Sequence, residues 1–174
     1  MEPKERLNAL EVALNNEMNE REFYLKHAER TKNPVGKAMF KEIADDELEH
    51  YQRLKELHEK WEKKEQWPQT VPLTVKKTNI KDVLTGMIKN VEAQAESDDD
   101  DITAISIATE FEAKGSEFYA RLRDSVTDEK EKSFFDLLAR IEREHYLSLK
   151  DTEEYLKDPE SWFTKAEHHL LDGA

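Results

Sequence analysis

The chain repeats itself at a spacing of 95 residues, and the repeat preserves charged side chains as well as apolar ones. Glu17, Glu47 and His50 in the first half are matched by Glu112, Glu142 and His145 in the second, with no gap needed. The same shift carries Ala9 onto Ala104, Phe23 and Tyr24 onto Phe118 and Tyr119, Phe40 onto Phe135, Ala44 onto Ala139, Tyr51 onto Tyr146 and Leu54 onto Leu149. Apolar positions recur in any duplicated unit because each copy must bury one face. A Glu, Glu, His set that recurs with them calls for a role to which both halves contribute.

The spacing of the apolar residues is helical. Phe40, Ile43, Glu47, His50, Leu54, Leu57 and Trp61 step by three and four, the stripe that a helix turns toward a core. Phe135, Leu138, Glu142, His145, Leu149, Thr152 and Leu156 repeat it. On a partner helix in each half, Leu7, Leu10, Leu14, Glu17, Arg21 and Tyr24, and then Ile102, Ile105, Thr109, Glu112, Ser116 and Tyr119, place one further carboxylate on the inner face. With only four Gly and five Pro, and 39% charged residues, the fold class is all-α with heavily charged outer faces.

Punctuation divides the pattern. Helices are predicted over 4–30 and 34–67, with Asn33 as cap and Pro34 in the first helical position. Residues 68–77 contain two prolines and read as extended chain, and a shorter helix is expected over 80–96. The run Asp98 to Asp101 supplies an N-cap and negative charge for a helix over 102–125; no EF-hand spacing follows it, so capping is preferred to calcium binding. Thr127, Asp128 and Glu129 open a fourth long helix to 157, and Asp158-Pro159 begins a last helical piece with Trp162, Phe163, Leu170 and Leu171. The expectation is one domain, 1–174: a helical hairpin (1–67), a long crossover (68–100), a second hairpin (101–157) and a short C-terminal helix (158–174).

Depth along the bundle follows by counting from each turn. Glu17 and Glu47 are equally far from residue 32, and Glu112 and Glu142 equally far from residue 127, so each hairpin brings its carboxylates to one level. Several kcal/mol per buried carboxylate, on the order of magnitude of such burial, must be offset by opposite charge, and the inner stripes carry too few cations. Two divalent metal ions would supply it. With no cysteine, thiolate zinc sites, iron-sulfur clusters and a built-in rubredoxin-type centre are excluded, so the ligands must be oxygen and imidazole, which suits Fe(II), Mn(II) or Zn(II). A net charge of -13 without a basic cluster argues against nucleic acid as a partner. No segment approaches a membrane span and Met-Glu-Pro-Lys-Glu-Arg has no apolar run, so no membrane association and a cytoplasmic location are expected.

Glu17 with Phe23-Tyr24, Glu47-Leu48-Glu49-His50, Glu112 with Phe118-Tyr119, and Glu142-Arg143-Glu144-His145 resemble the di-iron carboxylate site of the ferritin-like superfamily, and most of all its rubrerythrin-like branch. The resemblance covers essentially the whole bundle and implies a ferritin-like four-helix bundle holding two iron ions. It implies that Glu47 and Glu142 bridge or chelate the metals, that His50 and His145 each bind one, that Glu17 and Glu112 are terminal or bridging ligands, and that Tyr24 and Tyr119 hydrogen-bond ligand carboxylates. The chain departs from the pattern where rubrerythrins carry a further carboxylate one turn after the third-helix Glu: that position is Gly115, and its repeat partner is Glu20. Glu20 is therefore expected as a seventh ligand, entering the space that Gly115 leaves. Leu48 stands where bacterioferritin has a haem-ligating Met, so haem is not implied.

The activity expected from the resemblance is reduction of hydrogen peroxide, or dioxygen, at the di-iron centre, as protection against oxidative stress. Because the chain has no cysteine, electrons would come from a separate rubredoxin-like protein, and a homodimer or small homo-oligomer is expected. Oxidation of Fe(II) for iron storage is the alternative, and a bundle that metals merely stabilise is a third reading. Trp61, Trp67, Trp162 and Phe163 are read as core or subunit contacts, and His168-His169 as part of an amphipathic helix.

Overall fold

The computed structural model describes residues 3–63 and 99–164. The four long helices are α1 (Pro3–Arg30), α2 (Pro34–Glu62), α3 (Asp99–Ser125) and α4 (Glu129–Lys157). Three residues, 31–33, turn α1 back along α2, and 126–128 do the same for α3 and α4. The two hairpins then meet through α2 against α4 and α1 against α3. The result is an all-α four-helix bundle. No helix among the described residues is long and apolar enough to cross a membrane.

Both turns are made by caps. Asn33 accepts hydrogen bonds from the backbone N–H groups of Val35 (2.9 Å) and Gly36 (3.3 Å), and Pro34 occupies the first turn, where no N–H is needed. Asp128 does the same for Lys130 (2.8 Å) and Glu131 (3.2 Å), so Asp128 is the cap within the Thr127–Glu129 group. After α4, Asp158 accepts from Ser161 N–H at 3.0 Å and residues 159–164 are again helical. Trp162 and Phe163 pack edge-on against Tyr155, and Trp61 packs partly buried on the core with Arg6 over its ring, in keeping with contact roles.

α3 begins at Asp99, so Asp100 and Asp101 lie inside its first turn and bring the expected negative charge to the helix start, while Asp98, the residue at the cap position, lies outside the described residues. Asp101 is buried and accepts from Thr31 Oγ1 at 3.0 Å, while Arg30 reaches Asp100 at 2.8 Å and Asp101 at 3.5 Å. The run ties the end of the first hairpin to the start of the second. Expectations for Trp67, for the crossover and its helix over 80–96, and for His168, His169, Leu170 and Leu171 lie outside the described residues.

Two apolar clusters fill the interior, one toward each end. Tyr24, Met39, Phe40, Ile43 and Ala44 of the first hairpin join Ala104, Ile105, Ala108, Leu149 and Leu156 of the second. At the opposite end Leu10, Ala13, Leu54 and Leu57 join Tyr119, Leu122, Phe134, Phe135 and Leu138. On every helix the acidic and imidazole residues of the repeat fall between the two clusters. Water is thus excluded from a charged layer by apolar packing above and below it.

Candidate metal centre

Each helix contributes to that layer through its inner face: Glu17 from α1, Glu47 and His50 from α2, Glu112 from α3, and Glu142 and His145 from α4. None of the six is more than 2% exposed. The spacing of three in each Glu-x-x-His places both side chains on one face of the helix, one turn apart. Equal depth in the hairpins then brings the four carboxylates together, as the count from the turns predicts.

The six residues sort into two groups. Glu17, Glu47, His50 and Glu142 offer one ligand atom each, all within 4.8 Å of one another, and Glu47, Glu112, Glu142 and His145 do likewise. Glu47 and Glu142 belong to both. His50 Nδ1 lies 3.1 Å from Glu17 Oε2, 3.2 Å from Glu47 Oε2 and 3.2 Å from Glu142 Oε1. His145 Nδ1 lies 3.3 Å from Glu112 Oε2 and 3.5 Å from Glu47 Oε1. In both rings Nδ1 faces the carboxylates, which leaves Nε2 to the surroundings.

The tyrosines act across the hairpins. Tyr24 of α1 donates its hydroxyl hydrogen bond to Glu112 of α3, and Tyr119 of α3 donates to Glu17 of α1. Each thereby fixes one oxygen of a carboxylate and leaves the other to face a histidine. Burial, and then the Glu112 charge for Tyr24 and the Glu17 charge for Tyr119, push both phenols well above their ordinary range, so they remain protonated donors.

The electrostatics are those of a cluster short of cations. Burial, and next the Glu47 charge, push Glu17 up to about 8. Burial, with Glu47 and Glu112 beside it, raises Glu142 well above the carboxylate range. Burial opposes ionisation of Glu47 too, but the His50 charge and the close polar contacts with Glu17, His145 and His50 prevail and hold it below the usual range. Burial disfavours charged imidazoles, yet Glu47 and Glu17 raise His50, and Glu112 and Asp46 raise His145. Protons do what bound cations would do, at sites where a cation needs them gone.

Hydrogen bonding gives a test of fit to metal. Glu47 Oε1 and both Glu142 oxygens are buried without a well-formed hydrogen bond, the histidine nitrogens lying 3.5 Å from Glu47 Oε1 and 3.2 Å from Glu142 Oε1. Three such orphaned acceptors are costly in a closed interior. They belong to the two carboxylates shared between the groups, the place where lone pairs would be given to two ions side by side. The donor set of four carboxylates and two imidazoles fits two divalent ions in charge and in type.

Glu20 stands apart from this set. It lies one turn beyond Glu17, partly buried, and burial together with the Glu47, Glu112 and Glu17 charges pushes its carboxyl up to about 10. It is near the cluster, but its oxygens are not among those that converge. The room left at Gly115 is taken by another residue: a Cβ there would lie 2.8 Å from Glu142 Oε2. Glu20 and Gly115 both line a groove of about 600 Å³ between α1 and α3, with Asn16, Asn19, Phe23, Phe111, Lys114, Phe118 and Arg121. The groove passes the centre where it has no side chain at residue 115 to cover Glu142.

One participant is invisible to a reading based on helical stripes. Asp46, immediately before Glu47, reaches from α2 to His145 Nε2 on α4 at 3.0 Å. The repeat shift carries it onto Ile141, and His50 Nε2 is buried without a hydrogen-bond partner. The sequence signal was there, in an acidic residue preceding one Glu-x-x-His and an aliphatic one preceding the other.

The sequence model of the Rubrerythrin family matches residues 8–153, a span that contains every residue of the centre. The chain belongs to the Rubrerythrin family. Searches of the curated proteins and of the solved structures return no match. Membership agrees with the ferritin-like bundle and with a family that typically binds iron.

Proposed function

We propose that the centre holds two iron ions and reduces hydrogen peroxide, drawing electrons from a separate rubredoxin-like protein. The observation that carries this reading is the sharing of Glu47 and Glu142 between the two four-residue groups, which supports two metals side by side rather than in separate sites. Bound there, two ferrous ions would supply two electrons, one from each, enough with two protons to convert one peroxide into two waters. Glu17 and His50 hold one end, Glu112 and His145 the other, and Tyr24 and Tyr119 keep the terminal carboxylates oriented. Glu20 is proposed as a further carboxylate that turns in from α1; with four glutamates already balancing two divalent ions, a fifth negative charge favours the oxidised pair.

The apolar clusters keep bulk water from the charged layer, and the groove past Glu20 and Gly115 admits a molecule of the oxidant's size. Phe23, Phe111 and Phe118 line it and Lys114 and Arg121 stand among its residues, a wall better suited to a small neutral oxidant than to a stream of hydrated Fe(II). That composition favours peroxidase over iron storage. A homodimer or small oligomer is the proposed assembly.

Stopped-flow mixing of the anaerobic, Fe(II)-loaded protein with peroxide or with dioxygen tests the reading. The expected result is oxidation of two irons per peroxide, faster than with dioxygen and faster than for free Fe(II). Faster reaction with dioxygen, and iron accumulating well beyond two per chain, would establish storage instead. Oxidation no faster than free Fe(II) would leave a metal-stabilised bundle.

A further inference from the structure

The duplicated centre has two ends that would be equivalent if the halves matched everywhere. Each has a terminal glutamate, a histidine presenting Nδ1, a tyrosine from the other hairpin holding the glutamate, and a share in Glu47 and Glu142. The histidines differ. His145 Nε2 meets Asp46 Oδ2 at 3.0 Å, while His50 Nε2 is buried with no hydrogen-bond partner. The cause is a single pair of repeat-equivalent positions, Asp46 on α2 and Ile141 on α4. Ile141 is buried in the apolar cluster with Leu138 and Ala139 and has no acceptor to offer.

A histidine that gives Nδ1 to a metal carries its proton on Nε2. At His145 that N–H donates to a carboxylate, which fixes the ring and its tautomer and makes Nδ1 more basic. At His50 the same nitrogen is buried with no acceptor, so no outer carboxylate fixes that side of the ring. We propose that Asp46 is a positioning residue that makes the two metal sites unequal: the His145 end binds first and more tightly, and the His50 end is the weaker, exchangeable one. This rests on the proposed metal pair and deepens it. The Glu47–Glu112–Glu142–His145 site would stay filled while the ion beside His50 is gained or lost.

Zn(II), which is not redox-active, separates this inference from the enzyme's activity. Calorimetric titration of the apoprotein, with a competing chelator, is expected to give two equivalents in two steps about 10–100-fold apart in affinity, the effect typical of an outer carboxylate on a ligating histidine. In Asp46→Asn the tighter step weakens toward the other and the steps merge, in an apoprotein that keeps its helical far-ultraviolet signal. In Ile141→Asp the weaker step tightens, because His50 gains the acceptor that it lacks. Two equivalents of equal affinity in the natural protein, or steps still well separated in Asp46→Asn, would overturn the inequality and leave the metal pair standing. Fewer than two equivalents would remove the pair itself.

Discussion

Replacing Gly115 with Ala sets the metal-free and metal-bound proteins against each other. In the middle of α3, Ala is favoured over Gly by about 1 kcal/mol of helix propensity. The added Cβ would lie 2.8 Å from Glu142 Oε2, and ordinary contact begins at 3.4 Å. The carboxylate must therefore retreat by roughly 0.6 Å, more than the ~0.5 Å within which a functional group must be held. Glu142 ends a flexible side chain, so the apoprotein can yield, and its melting temperature is expected to stay level or rise by about 2–4 °C, the shift of 1 kcal/mol in a domain of this size. Metal affinity is expected to fall about 10–100-fold, roughly 1.4–2.7 kcal/mol, because the displaced carboxylate is one that both sites share. Thermal melts with and without saturating Zn(II), together with calorimetry, read both quantities. A destabilised apoprotein with unchanged metal affinity would refute the reasoning, since Gly115 would then serve helix packing and not the position of Glu142.

Other perturbations act on the same layer. The double variant Glu47→Ala/Glu142→Ala should lose both metals by elemental analysis; two ions still bound per chain would show that these carboxylates are not the shared ligands. Tyr119→Phe leaves Glu17 Oε1 without its donor and should cost about 1–3 kcal/mol in denaturant unfolding of the apoprotein; a neutral result would mean that the hydroxyl does not hold Glu17. The metal-free protein should lose stability as pH rises. Glu17 has a folded-state pKa raised from 4.5 to about 8, so its contribution is complete below pH 4.5 and is lost as pH climbs through 8, and the raised histidines lose theirs in the same direction above 6.5. Metal in place of those protons should flatten the profile, so parallel melting curves across pH 5–8 with and without Zn(II) would contradict it.

The helices and the six converging residues were legible in the sequence because both depend on spacing. A stripe of period 3.6 says which face is buried, and equal distance from a tight turn says which residues meet. Capping chemistry located the turns at Asn33 and Asp128 for the same local reason. Contacts that cross between hairpins were not legible in that way: nothing in the spacing says that Tyr24 holds Glu112 rather than Glu17. Asp46 is off the inner stripe and reaches His145 on another helix, so only the mismatch with Ile141 hinted at it. Gly115 was legible as an anomaly, but the sequence alone could not say that Glu142 takes up its space. The acidic run read as a cap because Asp favours helix starts; its burial against Thr31 and Arg30 depends on how the hairpins dock.

Anomalous diffraction from crystals of the Fe(II)-loaded protein at the iron edge tests the central claim most directly. Two peaks about 3.5–4 Å apart, between Glu47 and Glu142 and flanked by His50 and His145, are expected. A bundle that excludes iron from this layer, or binds it only on the outer acidic faces, would contradict the account.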